Sequence, residues 1–297
     1  MEDKDLEILN LLLFDGRMSY EEIAKKVKLT PYLVKKRIKG YVDLGVIQKF
    51  ATNLNFMLFQ KSICYTLAEV KPETDQQELI ERIGKLEEVS GGAISLQNKM
   101  QIIHTYGDDH DFKKNLEKLM GFEEILSMEN FILLIPQNLS FRNTRITNTD
   151  WRIINAMKDN CRKTDVEIAN ELGISTKTVR RRLAYLKENL IILFMIDLDT
   201  SAADFLSYLL IVKFQRIASE SYNDVLKIVK KYFYVWRIAN QEAFIITVFI
   251  DRLRDIDDQV REIEKVPYVK DVISFIPTKM FYFESWIDKM IKDHVIS

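Results

Sequence analysis

The sequence predicts an α+β protein in which two winged helix-turn-helix domains alternate with two ferredoxin-like βαββαβ domains. Three observations carry that prediction. A three-helix pattern occurs twice without a gap, a strand–helix order also occurs twice, and capping and turn residues fall where those patterns need them.

The helical repeat runs from Asp5 and again from Asp150. Ile8 falls on Ile153, Arg17 on Arg162, Ile23-Ala24 on Ile168-Ala169, Val34 on Val179, Arg37 on Arg182 and Ile47 on Ile192. In the first copy Leu6, Leu9 and Leu13 recur at helical spacing. Ser19-x-x-Glu22 and Thr164-x-x-Glu167 are capping boxes that open a short second helix, whose inward positions are Ile23, Ala24 and Val27 in the first copy. A tight turn follows. The second copy places Gly173 there, which accepts a left-handed backbone, whereas the first places Lys28, which does so under strain. Thr30 and Ser175 cap a third helix, and Pro31 suits its first position because an N–H there has no helical partner.

The third helix carries the candidate chemistry. Val34, Ile38 and Tyr41 face inward in the first copy, as do Val179, Leu183 and Leu186 in the second. Tyr32, Lys35, Lys36 and Lys39 then face outward, as do Thr176, Lys177, Arg180 and Arg181. Each three-helix unit is net positive in a chain whose total charge is −1, so the positive charge collects where a recognition helix needs it. An ordinary solvated helix face is the alternative for either helix alone. Arg37 and Arg182 lie beside the buried stripe and read as bridging or phosphate-facing groups.

Residues 61–136 and 206–277 share one order of elements. Alternating strands at Ser62–Val70 and Ser207–Phe214 are followed by helices at Thr74–Leu86 and Ser221–Tyr232. Hairpins turn at Asn98-Lys99 and Asn240-Gln241, then come helices at Asp109–Met120 and Arg252–Ile263 and last strands at Ile125–Ile135 and Tyr268–Ile276. Such a sheet covers one face with its own helices and needs a partner for the other. The domains expected are 1–55 and 149–199 (winged helix-turn-helix), 60–136 and 205–277 (ferredoxin-like), a polar linker at 137–148, and a tail at 278–297. The tail's Phe283, Trp286, Ile287, Met290 and Ile291 form one apolar helical stripe.

Composition excludes several classes. The two cysteines, Cys64 and Cys161, sit in no Cys/His cluster, so neither a zinc site nor a disulfide framework is expected. No apolar run approaches a membrane span and the N-terminus lacks a leader pattern, which predicts a cytoplasmic protein with no membrane partner. There is no P-loop, GxSxG or HExxH, so no catalytic residue, metal or cofactor is assigned. Asp108-Asp109 and the acids from Asp255 to Asp258 fall at helix starts, where they favour the dipole.

The order helix-turn-helix, wing, hinge strand and βαββαβ resembles the Lrp/AsnC transcription regulators, with their RAM-type α/β domain, as a tandem duplication. Gly16-Arg17-Met18-Ser19, Glu22-Ile23-Ala24, Thr30 through Ile38 and Gly45-Val46-Ile47 carry the likeness, and Arg162, Glu167-Ile168-Ala169, Gly173-Ile174-Ser175, Val179 and Arg182-Leu183 repeat it. The resemblance implies sequence-specific binding of double-stranded DNA through two non-identical recognition helices. It also implies a homodimer formed by sheet pairing, for which a monomeric pseudo-dimer is the alternative in a doubled chain. Family members bind amino-acid effectors at a Gly-x-x-Asp turn; the matching positions are Asn98 and Gln101, and Asn240 and Ala243, so no effector site is assigned. Two other readings stand beside this one. One is a siroheme-decarboxylase-like enzyme, which would need His and Arg clusters that His104, His110 and His294 do not form in sequence. The other is an interaction module that has lost DNA binding.

Overall fold

A computed structural model describes residues 3–134, 145–202, 206–250 and 252–295. The expected linker at 137–148 therefore lies mostly outside the described residues. The first helix-turn-helix comprises α1 (Asp3–Phe14), α2 (Tyr20–Val27), α3 (Pro31–Asp43) and β1 (Ile47–Leu54). The first α/β module follows as β2 (Ser62–Val70), α4 (Gln76–Ile83), β3 (Val89–Ser95), β4 (Lys99–Tyr106), α5 (Asp109–Met120) and β5 (Ile125–Ile132). The second helix-turn-helix is α6 (Asn148–Met157), α7 (Asp165–Leu172), α8 (Thr176–Glu188) and β6 (Ile192–Leu198). The second module is β7 (Leu206–Phe214), α9 (Ser219–Val229), β8 (Tyr232–Arg237), β9 (Ala243–Ile250), α10 (Arg254–Glu264) and β10 (Val269–Phe275), after which come β11 (Pro277–Tyr282) and α11 (Ser285–His294).

Two compact units result. One holds the described parts of Met1–Gln60, Gln137–Asp199 and Glu284–Ser297, and the other those of Lys61–Pro136 and Thr200–Phe283. In the first unit the inward stripes are buried as their spacing requires, with Ile23, Val34 and Ile38 in one copy and Ile168, Val179 and Leu186 in the other at 2% exposure or less. Capping boxes form at Ser19–Glu22 and Thr164–Glu167. Lys28 adopts φ 57° and Gly173 φ 65° at equivalent turns. After the third helices the asymmetry reverses, with Gly45 at φ 77° in the first copy and Leu190 at φ 52° in the second.

At the expected wing each copy supplies one strand. A single strand cannot satisfy its own backbone groups, so β1 pairs antiparallel with β6 of the other copy, as in Thr52↔Phe194 and Leu54↔Ile192. The turn between first and second helices packs against this ladder. A Cβ on Gly16 would sit 2.7 Å from the Met195 carbonyl oxygen and 3.2 Å from the Cys161 sulfur, so only glycine fits there.

The second unit holds two sheets, each antiparallel. The orders β5-β2-β4-β3 and β10-β7-β9-β8 are those of a βαββαβ module. Helices α4 and α5 cover one face of the first sheet around Ile80, Ile102 and Leu119, and α9 and α10 cover the second around Val225, Phe244 and Ile263. The remaining faces meet each other within the chain: Leu67, Ala93 and Phe131 pack with Leu209, Ile211, Ile245 and Phe275 in one buried cluster. Of the two sheet pairings expected, between two chains or within a doubled one, these contacts make the second, because a single chain already carries both apolar faces. A backbone bridge at Leu133↔Ile238, and the Asn240 side chain, which donates to the Asn130 carbonyl at 2.9 Å and accepts from the Ile132 N–H at 3.0 Å, hold the two sheets together.

The tail is corrected in part. Of the residues expected in one apolar helical stripe, only Phe283 lies off the helix. Strand β11 joins the exposed edge of β3, and Phe283 packs over Gly84, where a Cβ would approach the ring to 2.2 Å. Trp286, Ile287, Met290 and Ile291 stay together on α11, with Trp286, Ile287 and Ile291 buried against Trp151 and Phe59 beside the second helix-turn-helix. Ion pairs from Lys49 to Glu284 and from Lys158 to Asp288 (2.5 Å) anchor that helix.

Near this anchor Asp197 is buried on β6, and desolvation pushes its carboxyl up to about 6, with Lys49 opposing and Glu284 adding to the shift. A carboxyl raised in the folded state favours folding below its unfolded value near 4, and that advantage is lost as pH rises through 6. Asp197→Asn should therefore stabilise the protein by roughly 1–3 kcal/mol at pH 7.5, and the gain should vanish below pH 4; urea titrations at both pH values check this, and an equal effect at both would refute it. Lys28→Gly should add about 0.5–1 kcal/mol by relieving the left-handed turn. A fall in its denaturation midpoint would show that the turn is not strained.

Candidate nucleic-acid interface

Each third helix is set by its cap and by one carboxylate from the first helix. Thr30 and Ser175 accept from the Leu33 and Thr178 N–H groups, fixing where α3 and α8 begin. Arg37 and the Tyr41 hydroxyl both reach Asp5 on α1. In the second copy Arg182 grips Asp150 with two nitrogens, Nε lying 2.6 Å from Oδ1, and stacks over Tyr185 at 4.5 Å. Asp150 is fully buried and also closes a capping box with Thr147. Of the two roles expected for Arg37 and Arg182, the bridging one is found. The phosphate-facing one is set aside because their guanidinium groups are held by these carboxylates.

The outward residues lie where the helical spacing puts them. Tyr32, Lys35, Lys36 and Lys39 on α3 are exposed, as are Lys177, Arg180 and Arg181 on α8, while Thr176 is half-buried. Tyr32 is 73% exposed, unusual for a side chain whose ring gains from burial. Lys39 pairs with Asp43 at 2.6 Å, and Arg180 Nε donates to Asp165 at 3.2 Å.

Sequence reasoning missed what joins the two helix-turn-helix copies. Arg17 of the first donates to the Cys161 and Lys163 carbonyls of the second at 2.8 and 3.0 Å. Its equivalent, Arg162, donates to the Met18 carbonyl of the first at 3.0 Å and lies 5.1 Å from the Tyr20 ring. The arginines were visible as a repeated pair in the alignment, but their reach across copies depends on the β1–β6 pairing. Through these contacts α3 and α8 belong to one compact body with both basic faces exposed.

The groups that a haem-type enzyme would need are placed differently. His104 is fully buried on β4, its Nε2 lies 3.0 Å from the Thr66 hydroxyl, and desolvation lowers it to about 4, so the ring stays neutral. Burial pushes the thiols of Cys64 and Cys161 up to about 11 and about 12, which keeps them protonated and unreactive. Asp108 caps α5 by accepting from the Asp111 N–H at 2.9 Å. No group of three potential metal-ligating side chains occurs, and no helix is long and apolar enough to cross a membrane, among the described residues.

A doubled helix-turn-helix with exposed basic third helices and paired α/β modules defines the class of protein as helix-turn-helix. The AsnC-type helix-turn-helix domain matches twice, at residues 1–40 and 146–187. A helix-turn-helix transcriptional regulator of uncharacterised role from Pyrococcus abyssi is 30% identical over 136 residues, which span 45% of this chain and 85% of that protein. The transcriptional regulator LysM from Sulfurisphaera tokodaii is 28% identical over 89 residues, 30% of this chain and 62% of its own. The chain belongs to the Lrp/AsnC family of helix-turn-helix transcription regulators, as a tandem duplication of its unit. The crystal structure of the siroheme decarboxylase NirDL covers 99% of this chain and 98% of its own, with a TM-score of 0.59 and 11% identity, and so shares the doubled fold.

The carboxylate that holds each third helix is testable. Asp150→Ala leaves Arg182 without its partner and should cost about 3–5 kcal/mol, whereas Arg37→Ala, in a more exposed pair, should cost about 1 kcal/mol. Urea denaturation of the two variants checks the order, and equal losses would refute it.

Proposed function

We propose that this chain regulates transcription by binding duplex DNA in the major groove with α3 and α8, each on one half-site. The observation that carries the reading is the exposure of two basic third helices on one compact body, tied by Arg17 and Arg162. A recognition helix lies with its outward face against the duplex, and Tyr32, Lys35, Lys36 and Lys39, with Thr176, Lys177, Arg180 and Arg181, occupy that face. Both half-sites must face one side of the duplex, which sets them about 10 bp or a multiple apart. Because the sheets pair in cis, one chain serves as a pseudo-dimer and spans both half-sites, in the cytoplasm and without a cofactor.

The chain is not read as an enzyme. His104 is fully buried and neutral and the cysteines are buried, while the exposed His110 and His294 stand on α5 and α11 and belong to different units. Asn240, at the position where family members place an effector turn, has its amide engaged by β5, so no effector is assigned.

Gel shifts of the full chain against its own promoter region, over 50–300 mM salt, test the reading. Specific binding should weaken steeply with salt, and Arg180→Ala with Arg181→Ala should lower affinity at least tenfold, since one bidentate base contact is worth about 1–3 kcal/mol. Binding unaffected by the double substitution, or a tetrapyrrole that copurifies and is decarboxylated, would overturn it.

A further inference from the structure

The two helix-turn-helix copies differ in chemistry along their whole exposed side, beyond the third helix alone. Helix α2 ends in Lys25-Lys26 and its turn carries Lys28, all exposed. The equivalent positions of the second copy hold Asn170, Glu171 and Gly173. On the third helices Lys35, Lys36 and Lys39 stand opposite Arg180, Arg181 and Ala184. From Tyr20 to Asp43 seven basic residues face three acidic ones, whereas Asp165 to Glu188 carries five against four.

The ion pairs sharpen the contrast. Lys25, Lys26, Lys28, Lys35 and Lys36 are in no ion pair among the described residues, so five ammonium groups remain for an outside anion. In the second copy Asp165 holds the Nε of Arg180 at 3.2 Å, which leaves the two terminal nitrogens of the guanidinium free. Tyr20 occupies the equivalent place in the first copy, so the first copy has no such carboxylate.

Lysine and arginine do different work on DNA. An ammonium is a compact point charge that suits phosphates, where position matters more than direction. A guanidinium is a planar fork that matches the O6 and N7 acceptors of guanine, and a carboxylate that fixes one edge leaves the other edge directed. In a helix-turn-helix the first of the two helices crosses the phosphate backbone and the second enters the groove, which places Lys25, Lys26 and Lys28 beside phosphates.

We propose that the two copies divide the duplex between them: the first is a phosphate clamp built on Lys25, Lys26, Lys28, Lys35 and Lys36, and the second reads guanine-containing sequence with Arg180 and Arg181. This rests on the DNA-binding function proposed above. The site on DNA is then lopsided, with one sharply defined half and one degenerate half.

In vitro selection of duplexes by the full chain, followed by binding of the selected and a scrambled duplex across a salt series, tests the division. Lys25→Ala/Lys26→Ala/Lys36→Ala should weaken binding to both duplexes by the same factor. It should lower the salt slope by about 0.9 for each phosphate that is no longer neutralised and leave the selected motif unchanged. Arg180→Ala/Arg181→Ala should instead bring the ratio of selected to scrambled affinity close to one. Arg180→Lys/Arg181→Lys should restore binding to the scrambled duplex without restoring that ratio. Thermal melts establish that each variant is folded. A lysine variant that alters the motif, an arginine variant that weakens both duplexes equally, or a lysine replacement that restores discrimination overturns the division while leaving DNA binding intact. A parent chain that binds no duplex at any salt overturns the DNA-binding function itself.

Discussion

A lone β-strand is an unfinished object, and the first unit depends on how that is resolved. Each helix-turn-helix ends in one strand whose backbone donors and acceptors have no partner in the same copy. Pairing β1 with β6 closes both at once. The close approach then demands Gly16 beneath the Met195 carbonyl and lets Arg17 and Arg162 reach reciprocally into the turns of the opposite copy. The spacing of α3 and α8 follows from those contacts, and with it the geometry available for two half-sites.

The same logic recurs in the second unit with side chains in place of backbone groups. A sheet with helices on one face leaves an apolar face open, and burying it against a matching face removes hydrophobic area from water without a second molecule. Duplication within one chain thereby frees each copy from matching itself. In a symmetric pair one residue at the axis must tolerate its own copy. Here Gly16 meets Cys161, a complementary pair of one small and one larger residue at equivalent positions. The same freedom extends to the exposed side, where lysines gather on one copy and arginines on the other.

Departures from ideal local chemistry are shared out in the same way. Lys28 and Leu190 adopt left-handed backbones in different copies, each where the other copy keeps glycine. Neither copy carries both strains. Asp197 and His104 are buried titratable groups in separate units, one shifted up and one down by the same desolvation.

Local periodicity made much of this legible in the sequence. Helical spacing of Leu9, Ile23, Val34 and Ile38, the capping boxes at Ser19 and Thr164, and alternation in β2 and β7 specify elements through contacts a few residues apart, and those contacts are written in the order of residues. The outward face of α3 and α8 was legible for the same reason, since burial of one stripe exposes its opposite. The tertiary structure alone decided the rest. Whether sheet faces pair within or between chains, why the start of the tail pairs as β11 before the helix α11, and where Arg17 and Arg37 point all depend on groups more than thirty residues away. Sequence spacing carries no record of such distances. They are set by which unsatisfied edge or apolar face is nearest once the local elements have formed.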